Sequence, residues 1–361
     1  MKSVAVFLVS SLLLANAFAA DVISRQRFIR IVPIYQRWTI AGDSTFSELS
    51  IPVLIYLPVR YNWSISFSGS QAAVKGDNFA DLSGLADAQL STSYHVESAN
   101  LLLNLGVNLP SGKSALTLPQ LTTSAVLSSN VFQFQVPNFG QGMNVSPSLT
   151  WALPVRENFV LGLGASYQYK GQFTPLTASS LEYDPGDEML LTGGFDARLS
   201  ATATLTGDVI FTLYGKDKIN GGEILGPGNK LVANLQFRRY FGFNELGLLA
   251  RFRSRAKNDL LVNGVLTPEN VKTNPDQVEV AGHYRRRFTS EVAMRFFAEG
   301  RFYQNTPAVA GVKLFGVGLA PSLVLSTNFQ LLAQLKYQTG SFKEGASVSG
   351  LEAGAGLLIN F

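Results

Sequence analysis

The chain contains no cysteine. Neither disulfides nor a thiolate metal site can be part of its chemistry. Its only histidines are His95 and His283, so a Ser-His-Asp hydrolase would have to be built on one of them. No G-x-S-x-G elbow, P-loop or H-E-x-x-H element is present. Both histidines read as polar residues of an interior wall, and the chain reads as non-enzymatic, with no cofactor and no metal. Charge is scarce too: Asp, Glu, Lys and Arg make up 15% of the residues, and the formal net charge is +4. No Lys/Arg-rich block exists that could follow a phosphate backbone, which excludes nucleic acid as a partner. After the N-terminal segment, no apolar run approaches the ~18 residues of a spanning helix. A propeller or β-helix would show a sequence repeat, and none is found.

What is present begins with an export signal. Lys2 precedes an apolar core over residues 4–15, and Ala17-Phe18-Ala19 is an A-x-A cleavage pattern. Residues 1–20 are expected to be a signal peptide and 21–361 a single barrel domain. The last stretch, 348–361, alternates with period two. Leu351, Ala353, Ala355, Leu357 and Ile359 share one face with the terminal Phe361, while Gly350, Glu352, Gly354, Gly356 and Asn360 share the other. A strand with two different solvents on its faces, stopping on an aromatic residue, reads as the closing strand of an outer-membrane barrel. Leu357, Ile359 and Phe361 are the residues that the barrel assembly machinery would recognise.

Alternating segments recur along the whole chain, at 28–40, 48–57, 63–68, 89–96, 101–108, 145–153, 159–169, 191–199, 205–214, 231–240, 246–255, 278–288, 292–303, 314–323, 329–339 and 348–361. Backbone groups in lipid must be paired within the protein, so without helices the spanning solution is a closed sheet. The expectation is an all-β chain folded as a closed antiparallel transmembrane β-barrel of 16 strands, or 14 if the weak first segment pairs differently. Short connections alternate with long ones, the pattern of periplasmic turns and extracellular loops. Residues 75–84 are expected to form one of the long loops. Trp38, Trp63, Trp151, Tyr167, Tyr169, Phe288 and Tyr337 fall near strand ends and fit interface girdles or ordinary strand aromatics.

Turning the apolar face to lipid turns the other face inward. Arg238, Arg251, Arg253, Arg255, Arg285, Arg295 and Arg301 then form a basic stripe, with Glu279, Glu299 and His283 among them. Asp87, Asp196 and Asp208 point inward from the earlier wall. An Arg at the bilayer midplane costs ~2–4 kcal/mol, so the inward assignment is close to forced. The stripe either sets a field that orients anionic or polar solutes, or cross-links neighbouring strands with the acids.

The longest connection, 111–143, has Lys113 as its only charge and carries Leu116, Leu118, Leu121, Val126, Leu127, Val131, Phe132 and Phe134. So apolar a loop should not stay extended in water. It is expected to fold into the lumen as a greasy constriction, or else to form a lid on neighbouring loops.

Residues 49–69 read LSIPVLIYLPVRYNWSISFSG, followed by Gly84-Leu85-Ala86-Asp87, by Leu109-Pro110-Ser111-Gly112 and by Pro185-Gly186-Asp187-Glu188. These elements resemble the transporter-like outer-membrane family of the meta-pathway of phenol degradation. Ala86 departs from that family's G-L-G-D-like element. The resemblance implies an outer-membrane barrel passing small hydrophobic or aromatic compounds, without catalytic residues. Taken together, the chain is expected to be an outer-membrane channel for small molecules. A general porin for small polar solutes and a non-conducting structural or adhesive barrel are the alternatives. Expected partners are outer-membrane lipids and lipopolysaccharide, the assembly machinery and a small-molecule solute. Oligomerisation is left open.

Overall fold

The computed structural model describes residues 26–42 and 44–361. The expected signal peptide lies outside them. The main sheet has eighteen strand segments, two pairs of which are interrupted single strands, so they make a closed 16-stranded antiparallel barrel. The barrel strands are β1 (Phe28–Ile31 and Ile34–Ile40), β2 (Ser44–Arg60), β3 (Trp63–Gly76), β4 (Phe79–Leu85 and Ala88–Val96) and β5 (Leu101–Leu109). After the longest loop come β6 (Asn144–Arg156), β7 (Phe159–Lys170), β8 (Glu188–Ser200), β9 (Ala203–Tyr214), β10 (Lys230–Phe241) and β11 (Asn244–Arg255). The last five are β12 (Gln277–Arg287), β13 (Val292–Tyr303), β14 (Val312–Val324), β15 (Phe329–Phe342) and β16 (Ser347–Asn360). Each pairs with its sequence neighbour, and β1 closes the cylinder against β16, with Ile34 opposite Gly354 and Phe28 opposite Asn360. Pro33 donates no hydrogen bond and interrupts β1; Ala86-Asp87 interrupts β4.

Period-two alternation sets the two faces. In β7, Leu161, Leu163, Tyr167 and Tyr169 are exposed on the outside, and Gly162, Gly164 and Gln168 are more covered on the inside. Trp63, Trp151, Phe288 and Tyr337 also face outward. The turn expected at 75–84 is much tighter: β3 runs to Gly76 and β4 restarts at Phe79, with Thr45 N–H donating to the Asp77 carboxylate at 2.8 Å.

Above the lipid-facing belt on the β15–β4 side, the polarity of the wall reverses. Thr45, Thr39, Ser349 and Thr339 share one outward row. On the inner face of the same rim, Trp38, Phe46, Val74, Leu82 and Val348 are buried. This rim is built like a soluble sheet packed on a core, and it holds the largest hydrophobic cluster of the protein. Trp38 therefore belongs to the interior and not to an outer girdle. Its ring lies over Gly350, where a Cβ would collide with it.

The upper part of β4, Phe79–Leu85, pairs only with β3. Its open edge is covered by α1 (Leu118–Leu127), whose N-terminus is fixed by a capping box of Thr117 and Gln120. Thr123 Oγ1 donates to Ala80 O at 2.9 Å and Gln120 Nε2 to Asp81 O at 3.0 Å, satisfying carbonyls that a neighbouring strand would otherwise take. A second sheet of five short strands rises from the loops after β7, β9 and β11, ending in the hairpin Asp259–Val262 and Val265–Pro268.

Candidate functional site

The lumen has three kinds of wall. Across β3 to β6 the inward positions at mid-height are small and uncharged: Ser64, Ser66, Ser68, Ser91, Asn104, Gly106 and Ser148, with Ser66 and Ser91 hydroxyls 2.6 Å apart. From β8 to β13 charged residues are interspersed among them. From β13 round to β4 the upper wall is masked by residues 130–141 of the long loop.

This masking segment is a strap held by wall side chains. Tyr303 Oη donates to Asn130 O at 2.5 Å and Arg301 Nη1 to Val131 O at 2.8 Å. Gln36 takes both sides of one peptide stretch, donating to Gln133 O at 3.2 Å and accepting from Gln135 N–H at 2.9 Å. Val136 N–H donates to Glu48 at 3.1 Å. Gln141 N–H and Gly112 N–H both donate to Asp87, at 2.7 and 2.8 Å, so one carboxylate ties the two ends of the loop together. Gly112 is required there because a Cβ would strike Phe139 O.

Along the strap, burial alternates. Phe132, Phe134 and Val136 are buried against Trp38, Phe46 and Val74; Gln133 and Gln135 are only half-buried and turn the other way. Phe132 meets Trp38 edge-on at 5.3 Å and Phe46 at 4.8 Å. The loop lies inside the barrel, but its aromatic side faces the wall. The expectation of a greasy constriction is corrected here, because the apolar rim consumes those side chains and leaves amides toward the bore. Leu116 and Leu127 are buried in the same cluster, and Val126 and Val131 pack on it. Leu118 and Leu121 stay exposed on the free face of α1.

Below the strap lies a covered polar layer. Arg301 is fully buried, donates to Gln338 and sits 3.5 Å from Glu299. Lys336 lies 3.6 Å from Glu299 and 3.5 Å from Glu352, which also accepts from Gln36 at 2.9 Å and Gln334 at 2.7 Å. These charges are paired with one another and cross-link β1, β13, β15 and β16, with Glu299 Oε1 and Arg301 Nε held by charge alone and not by a hydrogen bond.

The charged wall is different. Asp196 accepts from Thr206 at 2.5 Å. Asp208 accepts from Asn234 at 2.7 Å, Asn234 accepts from Arg251 at 2.7 Å, and Arg251 lies 3.6 Å from Glu279. Toward the periplasm, Arg285 stands opposite both Glu245 and Arg295. Arg238 lies one inward position above, bonded weakly to Gln236 at 3.5 Å, with its Nε buried and unmatched. His283 contacts Glu245 at 3.2 Å and lies flat on Gly247. Toward the outside, Arg253 donates to Gln277 at 3.1 Å, and Arg255 donates to Gly228 O at 3.0 Å. The stripe of seven arginines is thus split. Arg301 is locked beneath the strap, and the other six line the open side. Sequence reading missed Lys230, Tyr214, Gln277 and Gln36. Lys230 carried a signal, since it lies an even number of residues before Arg238 on one strand. Among the described residues, no group of three or more His, Asp or Glu is placed to hold a metal ion.

Solved structures share this architecture. OpdQ of Pseudomonas aeruginosa superposes with a TM-score of 0.50 at 10% identity, over 93% of this chain and 99% of that one. CdiB from Acinetobacter baumannii gives a TM-score of 0.53 at 12% identity, over 91% of this chain and 60% of that one. The fold is that of a bacterial outer-membrane β-barrel. A loop-deletion form of OmpT, an outer membrane protein of Vibrio cholerae, aligns over 91% of this chain at a TM-score of 0.44 and 8% identity, too low to add to the case. No protein-family model matches the sequence, and no curated protein does. Three of the four elements on which the phenol-pathway resemblance rests are hydrogen-bonded at loop roots. Asp87 bonds to Gly112, and Ser111 Oγ accepts from Ala88 N–H at 2.9 Å. Asp187 accepts from Lys170 N–H at 2.9 Å, and Gly186 N–H donates to Asp217 at 2.9 Å. These are staples at loop roots.

Proposed function

We propose that the protein is an outer-membrane channel for passive or facilitated diffusion of small polar solutes, with a preference for anions. One observation carries this reading: the strap packs Phe132 and Phe134 against the wall, and the inward face of β10–β13 carries Arg238, Arg251, Arg253, Arg255, Arg285 and Arg295 across from a serine-rich wall. A one-sided cationic field across a serine-rich face favours anions and orients dipoles. Arg301, locked beneath the strap, serves strand cross-linking, so both meanings of the basic stripe apply, to different residues. The family resemblance, which implies small hydrophobic or aromatic compounds, supports a second reading, in which the permeating solutes carry an aromatic ring. A lumen closed by side chains would instead make the barrel a scaffold or adhesin. Lipopolysaccharide around the belt and recognition of Leu357, Ile359 and Phe361 by the assembly machinery belong to the proposal.

Reconstitution in planar bilayers tests it. The expected result is stable conductance with a reversal potential displaced toward the anion equilibrium potential under a salt gradient. Absence of conductance in correctly folded protein would refute a channel. Liposome swelling with sugars, aromatic acids and alkanoates then separates the solute classes.

A further inference from the structure

The extracellular half of the charged wall contains cations whose neighbouring carboxylates are engaged elsewhere. Lys230 and Arg255 stand directly opposite each other at the tops of β10 and β11. Like charges in that position repel unless something lies between them. Both rest on the same ring: Tyr214 has the Lys230 ammonium 5.8 Å from its centroid and the Arg255 guanidinium 4.6 Å away. Arg253 projects from the next inward position of β11. Among the described residues, no carboxylate forms an ion pair with any of these three. Glu188 is held by Lys170 at 2.5 Å, and Glu279 by Arg251. Beside Arg253, Gln277 is almost fully buried and its Nε2 has no acceptor. A buried donor without a partner is costly and uncommon.

We propose that Lys230, Arg253 and Arg255, with the Tyr214 ring as a flanking face, form an oxyanion-binding site in the outer half of the lumen. Its ligand is a carboxylate or phosphate group on a small solute. The anion separates the Lys230–Arg255 repulsion, and a guanidinium offers it paired donors. The ring gives a flat surface for the solute's body. The site rests on the channel reading, because solute reaches it through an open lumen.

Purified protein in detergent is titrated calorimetrically at low salt with inorganic phosphate and, separately, with benzoate. Saturable binding that weakens as salt rises is expected, since the contacts are electrostatic and partly exposed. Lys230→Gln and Arg253→Gln should each weaken it roughly tenfold. Arg286→Gln, on the outer face beside Phe288, should leave it unchanged. Heat-modifiable migration on gels reports folding of each variant. Lys230→Gln removes a side chain whose contact is a ring face, so it keeps the test sound if Arg253→Gln does not fold. Binding of either anion supports the site and identifies its group. No saturable binding of either by wild type, or equal binding by Lys230→Gln, overturns it. Conductance of the same samples is a separate readout: a conducting barrel that binds neither anion loses the site and keeps the channel, and a binding barrel that does not conduct loses the channel.

Discussion

Truncating Phe134 to alanine should release the strap without unfolding the barrel. Phe134 is 1% exposed and packs against Phe46 at 5.4 Å. Phe→Ala at a packed site costs about 3–5 kcal/mol. At about 1.4 kcal/mol per factor of ten, the docked-to-released ratio falls by roughly two to three and a half decades. The backbone bonds from Gln36, Arg301 and Glu48 remain, but each is worth only about 0.5–3 kcal/mol net, so none replaces the lost ring. The sixteen strands keep their ladders, so heat-modifiable migration should persist. Single-channel recordings should show flicker and larger open levels as the strap swings into and out of the bore. Limited chymotrypsin digestion should cut after Phe132 in the variant and spare the wild type. Leu118→Ala is the control, because Leu118 is 69% exposed and such a surface change usually stays within about 0.5 kcal/mol. Recordings and digestion patterns that are the same for Phe134→Ala as for wild type would refute the account of the strap as a packed core element.

Three other outcomes follow from described contacts. Asp87→Asn leaves the two loop-root amides sharing one weaker acceptor; a loss of about 1–3 kcal/mol should appear as faster hydrogen exchange at Gly112 and Gln141. Lys336→Met strands Glu299 and Glu352 in a covered layer and should cost about 3–5 kcal/mol, read as a lower temperature of heat-modifiability, whereas replacing all three by apolar residues should recover much of it. In the outer sheet, burial pushes the Glu269 carboxyl up, but hydrogen bonds from Thr273 and Asn258 prevail and hold it below the usual carboxylate range. A group lowered on folding stabilises above its unfolded pKa of about 4.3 and loses that contribution as pH falls through its folded value. Exchange at the Thr273 amide should therefore accelerate below about pH 4, while Glu269→Gln should remove the pH dependence.

The strands were legible because each meets two solvents, and that difference is written at period two from Leu49 to Phe361. That Arg238, Arg251, Arg285, Arg295 and Arg301 share one face of the sheet follows from the same alternation. The rim was not. Its core forms only when Trp38, Phe46 and Val348 meet residues of a loop far away in sequence, and an inward Trp looks the same in one strand as an outward one. The alternation Phe132-Gln133-Phe134-Gln135 was visible, yet which side faces the bore depends on that distant rim. Lys230 and Tyr214 sit at strand tops, where a sequence pattern fades into loop.

Because Gln133 and Gln135 meet the passage while Phe132, Phe134 and Val136 meet the scaffold, the strap keeps permeation and stability on separate faces. Replacing Gln133 or Gln135 by larger, smaller or ionised side chains changes the aperture while the aromatic anchorage stays untouched. Pore size can then be tuned by exchanging single amides, with the rest of the molecule as a fixed frame.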